Sequence, residues 1–354
     1  MSYLAEVEDR AVGAEAPSAR DLLLAAVEEF SELAGADLST SERLHDVAMA
    51  VHGICRACAA AEHEQLPRET IMALGQGARA IHRRSLFIER LQTWPRGYQG
   101  DFETVDYLMQ QQVRAPEGTI EYWLEYLALS SPIAQQHRNK MLVQGREIMT
   151  ALSSCAADAR ILVLAPGSCP DLVGIEDWLV ERRVQVVLCD GDAEALACAR
   201  DRLSRLGDRL TCVHGSVLAS HAKLAPFGPF DVIAAGGLFD YLPERQATFL
   251  LRVIWERLLA PGGRLFFTNI ARGNPFRLWI EYMADWRLIE RSEDEMLALL
   301  AAGCGENTAP SLRRDGSGLA WLLSVTRDDR RDSASRAGHD AATRSLPRSP
   351  TRTS

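Results

Sequence analysis

The sequence predicts an α/β protein. Its main part is a mostly parallel sheet with helices on both faces and an antiparallel hairpin at the C-terminal edge, and a helical N-terminal domain precedes it. Three observations carry this reading. Up to about residue 150, apolar residues recur at helical spacing and no strand-like run occurs. From Arg160 onward, five short apolar runs alternate with helical stretches. The last two strand-like runs flank a strong turn signal.

In the first region, Asp21–Leu33 places apolar residues on one helical face, and Ser41–His63 follows the capping-type stretch Ser39-Thr40-Ser41-Glu42. Glu69–Glu89 reads as one further helix. Thr93–Asp101, with Pro95, Gly97 and Gly100, is a break. Glu103–Gln112, Thr119–Leu129 and Ile133–Ala151 read as helices.

In the second region, ARILVLAPG is a buried strand running into a turn, and Asp171–Arg182 is helical. Val184–Cys189 is the second strand, followed by the helix Asp192–Leu206, which Gly207 ends. Leu210–His214 and Phe230–Ala235 are the third and fourth strands. The helix Glu244–Leu259 leads through Pro261-Gly262-Gly263 into the fifth, Arg264–Ile270. Pro275–Asp285 is helical, and Ser292 with Glu295 forms a capping box for a helix to about Ala302. Strand-like runs at Pro310–Arg314 and Leu319–Thr326 flank Asp315-Gly316-Ser317-Gly318. The expected organisation is a helical cap at 1–150, a Rossmann-like domain at 151–327 and a disordered tail at 328–354.

Composition excludes several classes. The 354 residues are 47% hydrophobic and 25% charged, an ordinary globular mixture with ample core. No run is long and apolar enough to span a membrane. The N-terminus lacks a basic stretch followed by an apolar run, which predicts a cytoplasmic protein without a secretory leader. Net charge is −9, and the Arg-rich tail is positive, so the body is more acidic still and nucleic acid is not the expected partner. The eight Cys read as reduced core residues. Cys55 and Cys58 form C-x-x-C without a second ligand pair, so no metal is expected. The Ala-rich helices suit either a homodimer or an intramolecular bundle.

In such a sheet, ligands sit beyond the carboxyl ends of the strands. Gly167 and Ser168 follow the first strand. Asp190, 23 positions after Gly167, ends the second and is placed to accept from both hydroxyls of an adenosine ribose. Asp192 suits the helix N-cap better, which leaves Asp190 for the ribose. Gly191, Ser216, Val217 and Gly236 stand at neighbouring strand ends. Phe239, Asp240 and Tyr241 follow the fourth strand.

With these pieces in place, Arg160–Arg327 resembles the class I S-adenosylmethionine-dependent methyltransferases. LVLAPGSCPDL, VVLCDGD, DVIAAGGLFDYLP and LLAPGGRLFFTNI carry the likeness. The chain departs from the family at the first strand end. Ala165 and a single Gly167 stand where the family commonly has an acidic residue and several glycines. The stretches Arg96–Glu103, Ser131-Pro132 with Arg138-Asn139, and Asn274-Pro275 through Arg291 also resemble a bacterial subgroup. Some of its members are associated with methyl esterification of 3-hydroxy fatty acids.

The resemblance implies S-adenosylmethionine (SAM) as cofactor and S-adenosylhomocysteine (SAH) as product. Tyr98, between two glycines, would close over the cofactor, and Arg138 would pair with its methionine carboxylate. Phe102, Phe239, Arg272 and Trp286 are candidates for the acceptor site. Asp240, Tyr241 and Glu281 are candidates for catalysis, Glu281 as the base if the acceptor is not a carboxylate. Three functions follow: O-methylation of a small, largely apolar acceptor such as a hydroxy fatty acid; C- or O-methylation of an isoprenoid or aromatic molecule; or a SAM-fold binding module without transfer.

Overall fold

The computed structural model describes residues 17–155 and 158–328. The start of the expected cap, residues 1–16, and the expected tail beyond residue 328 lie outside the described residues. The chain forms two compact units. One runs to His137 and includes Asn274–Leu288; the other holds Arg138–Gly273 and continues from Ile289. The boundary falls inside the helix Pro132–Ser153. All of this helix after His137 belongs to the sheet unit, where Ile148, Ala151 and Leu152 pack in one core with Ile161 and Val163. The stretch 274–288, which follows the fifth strand, returns to the helical unit.

The sheet unit holds seven strands in the order β3-β2-β1-β4-β5-β7-β6. These are β1 Arg160–Leu164, β2 Gln185–Asp190, β3 Leu210–His214, β4 Phe230–Ala235, β5 Leu259–Ile270, β6 Ser311–Arg314 and β7 Ala320–Thr326. β1 to β5 pair in parallel, while β7 runs antiparallel to β5 and to β6. Side chains alternate across the sheet, so each central strand feeds two cores. Leu162, Leu164, Ile233, Ala235 and Phe267 pack with helices Glu244–Val253 and Glu293–Cys304. Ile161, Val163, Val186, Leu188 and Val232 pack with helices on the opposite face. This buried two-sided arrangement explains the continuous apolar runs of the sequence.

Local signals set several boundaries. Asp192 caps helix Ala193–Arg202 by accepting from the amides of Glu194 and Ala195. Ser292 and Glu295 form the expected capping box. Two expected helices are broken instead. Glu69–Glu89 becomes Arg68–Leu74, Gln76–His82 and Leu86–Thr93, with Gly75 at one break and Ser85, an N-cap accepting from the Ile88 amide, at the other. Asp171–Arg182 divides at Gly174 into Pro170–Val173 and Glu176–Glu181.

The helical unit contains helices Ala19–Ala34, Arg43–His63, Phe102–Gln110 and Ile120–Ser130 beside those already given. A polar network ties its inserted stretch to the earlier helices. Arg68 pairs with Asp285 at 2.7 Å, Tyr282 Oη donates to Glu62 at 2.8 Å, and Arg277 pairs with Glu62. No helix among the described residues is long and apolar enough to cross a membrane.

Candidate functional site

The strand order reverses between β1 and β4, so the switch point of the sheet lies between the segments that follow these strands. The β1 segment is tightly coiled. Ala165, Gly167 and Cys169 all have positive φ, at 50°, 57° and 61°. For Ala165 and Cys169 this left-handed backbone costs about 1–2 kcal/mol each. Such strain persists where a loop must present its backbone to a ligand. Ser168 is buried within this turn.

Asp190 closes the turn from β2. Its Oδ2 accepts from the Gly167 amide at 3.1 Å, and its Oδ1 accepts from the Asp192 amide at 2.9 Å. The carboxylate therefore braces the glycine turn, and each oxygen keeps a second lone pair for a hydroxyl donor. Burial pushes the Asp190 carboxyl up from its ordinary value, and the backbone donors oppose that shift. Gly191 lies exposed beside it, and the His214 ring contacts the Gly191 carbonyl at 3.0 Å. Gly215 sits at φ 151°, and a Cβ there would meet Ser220 Oγ at 2.8 Å. Ser216 is exposed and Val217 half-buried just past this turn.

The loop after β4 is fixed from below by two buried cations. Lys140 Nζ pairs with Asp240 Oδ2 at 2.8 Å, both side chains being at most 2% exposed. The other Asp240 oxygen accepts from the Ile270 amide at 2.6 Å. Arg291 donates to the carbonyls of Phe239 at 2.8 Å and Leu242 at 2.6 Å, and to Asn269 Oδ1. Thr268 Oγ1 donates to the Gly236 carbonyl at 2.6 Å. Gly236 is buried at the head of this loop.

Gly167, Ser168, Asp190, Gly191, Ser216, Val217 and Gly236 thus all lie at the carboxyl ends of the parallel strands. Arg138 is buried in the same unit, where burial lowers the pKa of its guanidinium. Other expected residues have different surroundings. Phe239 is fully buried against Phe267, with ring centroids 4.3 Å apart, so it fills the core and does not wall an acceptor. Both Asp240 oxygens are occupied, by Lys140 and by the Ile270 amide, an arrangement that anchors the loop and argues against an open catalytic carboxylate. Arg272 is exposed and paired with Glu295 at 2.7 Å, at the start of the following helix. Tyr241 is half-buried one residue beyond Asp240.

Four expected residues belong to the helical unit. Three guanidinium groups surround Glu281: Arg277 at 3.2 Å, and Arg68 and Arg287 each at 3.5 Å. Its carboxylate is a node of the ion-pair network, which argues against an open base. Phe102 begins a helix and lies under the Arg96 guanidinium, 4.8 Å from the ring centroid. Tyr98 is exposed in the turn between Gly97 and Gly100, both with positive φ. Trp286 is buried, stacked on His137 with centroids 5.1 Å apart.

Trp286 and His137 line an apolar cavity within the helical unit, together with Phe87, Leu91, Leu108 and Trp279. His82 also lines it. The Trp279 indole donates to His82 Nε2 at 3.0 Å, and His82 Nδ1 bonds the Ala78 carbonyl at 2.8 Å, so the ring is held neutral. Burial pushes its pKa down to about 4. Burial also raises the Cys55 and Cys58 thiols to about 12. Among the described residues no cluster of His, Cys, Asp and Glu could hold a metal ion.

Sequence reasoning did not single out Lys140, Gln144 or Asp171. Lys140 and Gln144 lie one helical turn apart on Pro132–Ser153, and both are buried. Gln144 Nε2 donates to Asp171 Oδ2 at 2.6 Å, and Asp171 is itself buried just past the β1 turn. The only sequence signal was this four-residue polar spacing in a helix next to the first strand.

Residues 173–265 match the family model described as a methyltransferase domain. The matched stretch takes in Asp190 and the loop after β4. Among solved structures, a possible exported protein from Bordetella parapertussis is 16% identical, with TM-score 0.50, covering 89% of this chain and 100% of its own. An O-methyltransferase family protein from Burkholderia thailandensis is 18% identical, with TM-score 0.40, covering 58% and 63%. A glycopeptide N-methyltransferase, MtfA, complexed with SAM, is 16% identical, with TM-score 0.38, covering 52% and 92%. No curated protein matches the chain. The matched stretch runs from the helices before β2 into β5, so this part of the sheet unit is similar to a methyltransferase domain.

Proposed function

We propose that the chain transfers a methyl group from SAM to oxygen of a small, largely apolar acceptor, a hydroxy-acid carboxylate being the best fit. The observation that carries the donor half is the Gly167–Asp190 pair. A strained glycine turn beyond β1 is braced by an acidic residue at the end of β2 that retains lone pairs for two ribose hydroxyls. The acceptor half rests on the chemistry of the aromatic and aliphatic lining of a small cavity in the helical unit, about 30 Å³, where Trp286 and Leu108 would have to part to admit a hydrocarbon. The rings of Trp279, Trp286 and His137 in that lining also suit the second reading, an aromatic or isoprenoid acceptor.

The bound donor supplies an activated methyl on sulfur. An acceptor oxygen forms the new O–CH₃ bond in line as the S–CH₃ bond breaks, and sulfur keeps the electron pair. A carboxylate is already ionised at neutral pH and needs no base. The chain's task is then alignment and exclusion of water. In this reading Asp190 and the turn at Gly167–Ser168 hold the adenosine, with Gly191, Ser216 and Val217 along its edge. Gly236 keeps the floor open, and Lys140, Asp240 and Arg291 hold the β4 loop in place. Arg138, Tyr98 and Trp286 are assigned to the methionine carboxylate, cofactor closure and the acceptor, respectively. The eight cysteines, none of them in a disulfide, suit a reducing, cytoplasmic setting.

Calorimetric titration with SAH tests the donor half. Wild type should bind at micromolar affinity, and Asp190→Ala should bind at least tenfold more weakly. Absence of wild-type binding would refute this reading and favour a module that no longer transfers methyl groups. An alkali-labile methyl product would select the carboxylate acceptor over the aromatic or isoprenoid one.

A further inference from the structure

The Gln144 side chain stands at the switch point of the sheet with half of its hydrogen-bonding capacity unused. Its Nε2 donates to Asp171 Oδ2 at 2.6 Å, which fixes the orientation of the amide, since a carboxylate accepts and does not donate. That leaves Oε1 aimed at Gly236, the first residue beyond β4. A Cβ on Gly236 would lie 2.6 Å from this oxygen. Oε1 is buried and has no hydrogen-bond partner. Gln144 as a whole is 2% exposed. A buried carbonyl oxygen left without a donor is costly, so it marks a place where a donor arrives.

The charge around the amide says which donor. Behind it stands the buried Asp171 carboxylate, and Ala165 offers no acidic side chain at the end of β1. An amide oxygen backed by a buried carboxylate favours a cationic donor, because a hydrogen bond to a charged group is about twice as strong as a neutral one. Among the groups of a bound methyl donor that also persist in its product, the amino group of the methionine half has this character.

We propose that Gln144, held by Asp171, receives the ammonium of the methionine half of the donor, and that Gly236 is glycine so that this oxygen can stand at the switch point. The inference rests on the reading of the sheet unit as a SAM site. It moves one anchor of the donor from the strand end to the helix that precedes β1.

The test uses the full chain and two ligands, SAH and its deamino analogue, in which hydrogen replaces the amino group. Calorimetry should show wild type preferring SAH by roughly tenfold to a hundredfold. Gln144→Met keeps the side-chain volume and removes the acceptor. It should abolish most of that preference while binding the deamino analogue as wild type does. Gly236→Ala, which displaces the amide, should lose the same preference and provides an independent reading if Gln144→Met does not fold. A preference that survives in either folded variant overturns the proposal. So does an equal loss for both ligands, which is the result a purely structural Gln144 would give. If wild type binds neither ligand, the SAM reading itself falls, and this inference with it.

Discussion

Removal of either member of the Lys140–Asp240 pair should damage the sheet unit more than removal of both. The pair is 2.8 Å apart with both side chains at most 2% exposed. At that separation the gross attraction is about 6 kcal/mol for an effective dielectric of ~20. Desolvation of the two ions costs several kcal/mol each, so the intact pair contributes little net stability. Lys140→Met, however, leaves Asp240 charged in a place without water, and the expected cost is about 3–5 kcal/mol. Asp240→Asn keeps an oxygen for the Ile270 amide but leaves the Lys140 ammonium unpaired in the same place, so its cost should fall in the same range. The double variant should recover about 2–3 kcal/mol relative to the sum of the singles. The assay is hydrogen–deuterium exchange of β4 and β5 peptides against urea, which reports the sheet unit separately from the helical one. A Lys140→Met cost below about 1 kcal/mol, with coupling under about 0.5 kcal/mol, would show the pair to be solvated and refute the argument.

The helical unit should lose stability in mild acid through His82. Its folded pKa of about 4 lies below the ordinary 6.5, so its contribution is complete above pH 6.5 and is lost as pH falls toward 4, by about 3 kcal/mol in all. Denaturant unfolding of wild type and His82→Gln between pH 7 and 4 should show a shallower pH slope for the variant, and equal slopes would count against it. Gln136 is fully buried in the same unit and neither amide atom has a hydrogen-bond partner, so Gln136→Met should raise stability by about 1–3 kcal/mol. A lower melting temperature would mean that the amide is satisfied by water. Gly303→Ala would place a Cβ 2.4 Å from Leu251 Cβ, between helices Glu293–Cys304 and Glu244–Val253. The expected loss is about 1–3 kcal/mol by thermal unfolding, and an unchanged transition would show that the two helices separate easily.

The architecture of the sheet was legible because its signals are local. Strand runs such as VQVVLC are apolar on both faces, and turn residues such as Asp315–Gly318 punctuate them. Capping chemistry at Asp192 and Ser292 placed helix starts correctly. What the sequence did not reveal depends on partners distant along the chain. The Glu69–Glu89 helix breaks at Gly75 and Ser85, where turn and capping preferences outweigh a continuous apolar period. The unit boundary falls inside a single helix, because Ile148 and Leu152 find their partners on β1. Periodicity along one helix carries no information about which core each turn enters.

The candidate site divides along the same line. Gly167 and Asp190 were readable because a turn and a strand end constrain residue type at a fixed interval, and the Gly167–Asp190 hydrogen bond is the physical form of that interval. The partners of Asp240 and Glu281 were not readable for the opposite reason. A carboxylate near a strand end is chemically ambiguous until its neighbours are known, and Lys140 is 100 positions away from Asp240. Lys140 and Gln144 were passed over because a polar helical stretch ordinarily faces water, whereas here it is buried under the strand ends. Burial changes what such residues do. In water a lysine or glutamine at these positions would contribute almost nothing to the site. Away from water, Lys140 must be neutralised, and it is, by the loop that follows β4. The free Gln144 oxygen must be met by a donor, and no group in the described structure meets it. The completed pair and the incomplete one lie a single helical turn apart, so the unmet need is localised to the side of the switch point where the methyl donor's charged end is expected.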